Sequence, residues 1–140
     1  MTGPFHLERF VEAQEPVFAD VLAELRRGRK ESHWMWFVFP QIEGLGSSPT
    51  ARRFALRSLE EARAYLDHPL LGPRLRLCCE ILLELEGRSA EQMFGYPDVM
   101  KLRSSLTLFS RAAEDAGPFE ALLDKYYRGE EDPHTLALLG

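Results

Sequence analysis

G-R-K-E-S-H-W-M-W-F-V-F-P-Q-I-E-G-L-G-S-S-P, from Gly28 to Pro49, is the stretch on which the fold turns. It contains both tryptophans of the chain and one of its four histidines. At its centre Trp34, Met35, Trp36, Phe37, Val38 and Phe39 form an unbroken apolar run, which periodicity alone cannot divide between strand and helix. The aromatic content favours a strand. Ser32 placed to cap a helix and Pro40 placed to end one favour a helix, and no other segment offers a strand to pair with. A lone strand would leave its backbone groups unsatisfied. The expectation is a short buried helix.

Outward from this run, the chain is punctuated as a series of helices. Phe5, Leu7, Phe10 and Val11 fit a short amphipathic helix. Pro16 suits the first turn of a second helix with Val17, Val21, Leu22 and Leu25 on one stripe, ended by Gly28. Ser48 before Pro49 opens another helix. Ser58 with Glu61, and Ser89 with Gln92, have the spacing of capping boxes. His68-Pro69 and Gly72-Pro73 mark a corner. A buried helix then carries Leu75, Cys78, Cys79, Leu82 and Leu83 up to Gly87. From Pro97 to Ala113, Val99, Leu102, Leu106 and Phe109 face inward, with Lys101, Arg103 and Ser104 largely outside that stripe. Gly117-Pro118 and Asp132-Pro133 introduce the last two helical segments. No repeat, low-complexity tract or linker divides the chain. These signals predict a single compact all-α domain over residues 1–140, with about seven short-to-medium helices, orthogonally packed.

Composition narrows the class of partner. With 140 residues the chain can bury a core without metal or disulfide support. A net charge of −5 disfavours a sequence-independent grip on nucleic acid, which depends on basic surface. No apolar run reaches the roughly 20 residues of a membrane span, and the N-terminus lacks the order of a secretory signal. The adjacent Cys78 and Cys79 fit a reducing compartment and a packed helix face. The predicted location is the cytoplasm.

Three constellations could carry chemistry. Gly44, Gly46, Ser47 and Ser48 form a permissive turn before Pro49, able to aim backbone N–H groups and hydroxyls at a phosphate; the plainer alternative is a helix-capping turn. It is neither a Walker loop nor a dinucleotide fingerprint. Lys30, Ser32, His33 and Gln41 bracket the aromatic run. Lys30 supplies charge for an anionic ligand, His33 a neutral-pH acid or base, and Trp34 or Trp36 a surface for a flat ring. Singly, each is also what a packed core and a solvated surface would produce. Third, Tyr96-Pro97-Asp98 precedes Lys101, Ser104 and Ser105; Asp98 and Lys101 either form an i,i+3 surface pair, or this helix start closes a pocket against the first two groups. Glu61, His68 and Arg74 read more simply as cap, turn and surface partners. His6, His33, His68 and His134 are too scattered to indicate a metal site, and no cofactor is indicated.

The segments Gly28–Ser48, E-A-R-A-Y-L-D-H-P-L-L-G-P-R-L and F-G-Y-P-D-V-M-K-L-R-S-S-L-T-L-F resemble the bacterial family known as domain of unknown function 1810. The resemblance spans nearly the whole chain, and S-H-W-M-W-F-V-F-P-Q is its most specific string. It implies a small all-α cytoplasmic protein and brings no activity with it. The name calpastatin, given to some members, does not fit: calpastatins are long, disordered and built of repeats. V-M-K-L-R-S-S-L-T-L-F is also similar to a segment of the NADAR family, which acts on NAD-derived and ADP-ribosyl compounds; that similarity points to a nucleotide-like ligand and transfers no catalytic residue. Two functions follow as expectations. One is binding, with N-glycosidic hydrolysis as the reaction to test, of a small phosphorylated nucleotide-like molecule, with His33 and Asp98 handling protons. The other is a non-catalytic protein-interaction module whose aromatic run is core.

Overall fold

The computed structural model of the chain describes residues 5–140. Within them are ten helices: α1 (Glu8–Gln14), α2 (Phe18–Arg27), α3 (Met35–Val38), α4 (Pro49–Phe54), α5 (Leu59–Asp67), α6 (Leu71–Glu84), α7 (Ala90–Phe94), α8 (Asp98–Ala112), α9 (Gly117–Tyr127) and α10 (Pro133–Leu139). The all-α expectation holds. The count exceeds seven because α1, α3, α4, α7 and α10 are only one or two turns long. None of the helices is long and apolar enough to cross a membrane.

Four helices form the frame. α5 packs on α8, α8 on α9, α9 on α6, and α6 returns to α5. α8 is covered on nearly every side, because α3, α7 and α10 also pack on it. Ser104 is therefore buried, not outside the inward stripe as its spacing suggested. Its hydroxyl donates to the Met100 carbonyl and to Asp132, and Thr107 donates to the Arg103 carbonyl. Polar side chains can line a buried helix when they bond its own backbone in this way. Cys78 and Cys79 are buried free thiols on α6; burial pushes Cys78 up to about 12 and Cys79 higher still.

The aromatic run is helical, as expected, for the single turn of α3; Trp34, Met35, Val38 and Phe39 lie in the core, and Trp36 and Phe37 are partly buried against it. Trp34 and Phe39 both contact Phe94, while Phe37 meets Phe54. So short a helix cannot satisfy its own C-terminal carbonyls. Gln14 does part of that work from α1: its buried amide donates to the Phe37 carbonyl at 2.7 Å and to the Tyr65 hydroxyl at 3.0 Å. After α3 an isolated parallel bridge joins Ile42 to Leu56, with bonds from Glu43 N to Leu56 O and from Leu56 N to Gln41 O. The bridge closes the 42–56 loop, and α4 is carried inside it.

Several caps fall where spacing placed them. Ser48 accepts from Ala51 N, Asp132 accepts from Thr135 N, and Ser89 with Gln92 makes a complete capping box. Two differ. Ser58 caps α5, but Glu61 does not reach back to it; Glu61 accepts from Arg57 N and from Arg9 instead. Ser32 does not cap α3, whose N-cap residue is Trp34. In both cases a longer-range charged partner captures a side chain that local spacing had assigned.

Gly72, at the α5–α6 corner, is required by close approach: a Cβ there would lie 2.0 Å from the Leu66 carbonyl oxygen. That oxygen is backbone and cannot swing aside as a side chain could, so the corner would have to open. Gly72→Ala is expected to lower unfolding free energy by about 3 kcal/mol, read as the shift in urea midpoint. An unchanged midpoint would mean that the corner is not tightly closed.

Candidate functional site

The turn between α2 and α3 is built on one buried carboxylate. Gly28 ends α2 in the left-handed conformation (φ 70°) and reverses the chain. Glu24, on the last turns of α2 and 4% exposed, then receives the reversed segment. It accepts hydrogen bonds from Glu31 N at 2.7 Å, Ser32 N at 3.0 Å, the Ser32 hydroxyl, and Trp34 Nε1 at 3.0 Å. Burial by itself would raise the pKa of this carboxyl. The bonds from Ser32, Glu31 and Trp34 outweigh it and bring the group down to about 2.

With the turn fixed, Lys30 is fixed too. Its backbone N–H donates to the Met93 carbonyl at 2.8 Å, and its Nζ donates to the Ser32 carbonyl at 2.6 Å. Nζ also pairs with Asp98 at 2.8 Å, and its side chain is only 7% exposed. Asp98 holds Lys101 as well, at 3.3 Å. Each lysine faces a tryptophan: Lys30 Nζ lies 5.0 Å from the Trp34 ring centre and Lys101 Nζ 3.6 Å from that of Trp36. The result is a row of ring, cation, anion, cation, ring that ties α3 to the start of α8.

Beside the outer end of this row an open groove of ≈ 230 Å³ runs between three segments. Trp36, Gln41, Leu45 and Gly46 come from α3 and the loop after it. Tyr96, Pro97, Met100 and Lys101 come from the start of α8, and Ser104, Asp132 and His134 from the α8–α10 contact. Tyr96 is 83% exposed, so its ring is free for a ligand. Asp132 is buried, and it accepts from the Ser104 hydroxyl at 3.0 Å and the Thr135 hydroxyl at 2.6 Å. Burial again works to raise its pKa, but the bonds from Thr135 and Ser104 and the charge of Arg103 win and lower it. The exposed His134 places Nδ1 3.8 Å from Asp132.

Of the residues singled out in the sequence, Trp36, Gln41, Gly46 and Lys101 are brought together in the groove. Asp98 stands behind Lys101, between the two lysines. Lys30 is sealed by Asp98 and the Ser32 carbonyl, and Ser32 is held by Glu24. Trp34 is 1% exposed and belongs to the core. His33 is exposed and lies outside the groove lining. Gly44 and Gly46 line a separate hollow of ≈ 20 Å³ against Trp36 and Arg52, room for about one water molecule. Ser47 is exposed and Ser48 caps α4, so the Gly/Ser turn does not converge on one ligand position. Tyr96, Met100, Asp132 and His134 complete the groove. Tyr96 stood in the quoted Y-P-D string, whereas Asp132 and His134 read as a cap and an isolated histidine. Among the described residues, no group of three or more His, Cys, Asp or Glu side chains could hold a metal ion.

A small all-α domain with an open groove lined by aromatic and charged side chains is thus the class that fold and site define. The chain belongs to the family described as Protein of unknown function (DUF1810), whose model matches residues 4–139. It is similar to the conserved hypothetical protein Rv1873 of Mycobacterium tuberculosis, known from a crystal structure. The identity is 59%, 98% of each chain is covered, and the TM-score is 0.96. No curated protein matches it.

Glu24→Gln is expected to lower unfolding free energy by about 2 kcal/mol, because one acceptor oxygen is replaced by an amide facing donors. The pH dependence has a definite sign. The folded-state pKa of about 2 lies below the ordinary 4.5, so the Glu24 contribution is complete above about pH 4.5. It is lost as pH falls from there towards 2. Urea midpoints measured across that interval should fall less steeply in Glu24→Gln than in the wild type; identical slopes would refute the assignment.

Proposed function

We propose that the groove beside Trp36 binds a small nucleotide-like molecule through a flat ring and an anionic group. The observation that carries this reading is the juxtaposition of Trp36, Lys101 and the exposed Tyr96 around one groove. Aromatic rings accept a base by stacking; Lys101 covers one face of Trp36 and would answer a phosphate, while the exposed Tyr96 ring offers the open stacking surface. The polar end, Ser104 with Asp132 and His134, offers hydrogen bonds to hydroxyls. An NAD- or ADP-ribose-related ligand contains all three elements.

The same geometry supports binding more strongly than turnover. N-glycosidic hydrolysis needs a general acid for the leaving base or a general base for water. Asp132 is already committed to Ser104 and Thr135 and is held ionised, which makes it a weak proton acceptor. His134, beside it on the rim, is the better placed proton carrier than His33, and is the first residue to examine if turnover is found. Tyr96 and Met100, both exposed on the groove's edge, also favour a second reading, in which this face meets a protein partner.

A thermal-shift screen with NAD, ADP-ribose and nucleotides checks the ligand reading. At about 100 times its dissociation constant a true ligand adds roughly 2.7 kcal/mol to stability. Tyr96→Ala should leave the unliganded midpoint unchanged and weaken binding about tenfold, from loss of one stacking surface. Gly46→Val is unsuitable as a probe, since a Cβ at Gly46 would lie 2.7 Å from Ala51 Cβ and displace α4. A flat screen, or full binding by Tyr96→Ala, would overturn the reading.

A further inference from the structure

A second groove, of ≈ 190 Å³, lies at the corner where the start of α1 meets α4 and the turn into α5. In a chain of net charge −5 it is walled by Arg9, Arg52, Arg53 and Arg57, with His6 beside them. Glu61 is the one carboxylate among the described residues that line it, and it is spent: its two oxygens are bound at 3.0 Å by Arg9 Nη2 and at 2.8 Å by Arg57 N. Among the described residues, Arg52, Arg53 and Arg57 pair with no carboxylate, and what sets them apart from other unpaired arginines is that they line one groove; Arg53 also lies over the Phe54 ring, 5.2 Å from its centre.

The corner is also rigid. Arg9 commits all of its guanidinium nitrogens inward, to the carbonyls of Phe5, His6, Arg53 and Ala55 and to Glu61. It is a strut that fixes the backbone carrying the other three arginines, not a ligand contact. Guanidinium groups gathered without counter-ions repel one another, and their planar forks match phosphate oxygens. Like the open groove beside Trp36, this groove is smaller than the about 300–1,000 Å³ of sites that enclose a whole small molecule; each would hold part of a ligand, and the guanidinium groups suit this one to a charged head group.

We propose that this corner is an anion site for the pyrophosphate or terminal phosphates of a small phosphorylated molecule, held by Arg52, Arg53 and Arg57. The site is separate from the groove beside Trp36 and does not depend on the reading given for it.

Titration calorimetry with inorganic pyrophosphate, at constant ionic strength and with sulfate and chloride as controls, tests the proposal. The wild type should bind pyrophosphate more tightly than sulfate. Arg52→Ser/Arg57→Ser changes only exposed side chains and should keep the unliganded melting midpoint while weakening pyrophosphate about a hundredfold, roughly tenfold for each guanidinium removed. Arg57→Lys should retain part of the affinity, and Tyr96→Ala, in the other groove, all of it. No binding by the wild type at millimolar pyrophosphate would overturn the proposal, as would undiminished binding by the double variant. Binding of single-stranded oligonucleotides that tightens with length, without binding of pyrophosphate, would replace it with a nucleic-acid surface.

Discussion

The turn after α2, and with it the entry of the aromatic run into the core, rests on the carboxylate of Glu24. It stands under the turn that follows α2 and gathers the two backbone N–H groups, the hydroxyl and the indole N–H of residues 31–34. A buried carboxylate is costly unless its charge is answered, and here four donors answer it with no cation in contact among the described residues. Because one of those donors is Trp34, the same group that orders the turn also fixes the entry of the aromatic run into the core. Without it Lys30 would not be held against Asp98.

From there the coupling passes through charge and ring contacts. Asp98 sits at the first position of α8, where the helix dipole favours an anion, and it divides its oxygens between Lys30 and Lys101. Lys101 in turn covers one face of Trp36. A buried turn and an open groove are thus connected through a single carboxylate, and the charge of each lysine is held by Asp98 and a tryptophan ring. In the proposed complex, such restraint would lower the entropy lost on binding beside Lys101.

Local signals were legible wherever their energy is local. Gly28, Ser48, Ser89 with Gln92, and Asp132 do as caps what their spacing predicts, since each bond spans at most a few residues. Ser32 and Glu61 departed from their spacing because Glu24 and Arg9 compete for them from other helices. The burial of Ser104 was hidden for a similar reason: α10 covers a face of α8 that its own pattern leaves polar.

The sequence by itself determined the helical class and most of the helix boundaries, because caps, breakers and apolar periodicity act within one turn of the chain; the family followed from the specific strings the chain shares with it. It also marked the Gly28–Pro49 stretch as special. Only the tertiary structure decided that Trp34 is core and Trp36 is groove, two residues apart, and that Lys30 is sealed while Lys101 borders open space. It alone joined Tyr96 and His134 to Trp36, and Arg57 to the start of α1. Those assignments depend on which helix packs over which face, a property of contacts between distant segments that no local spacing encodes.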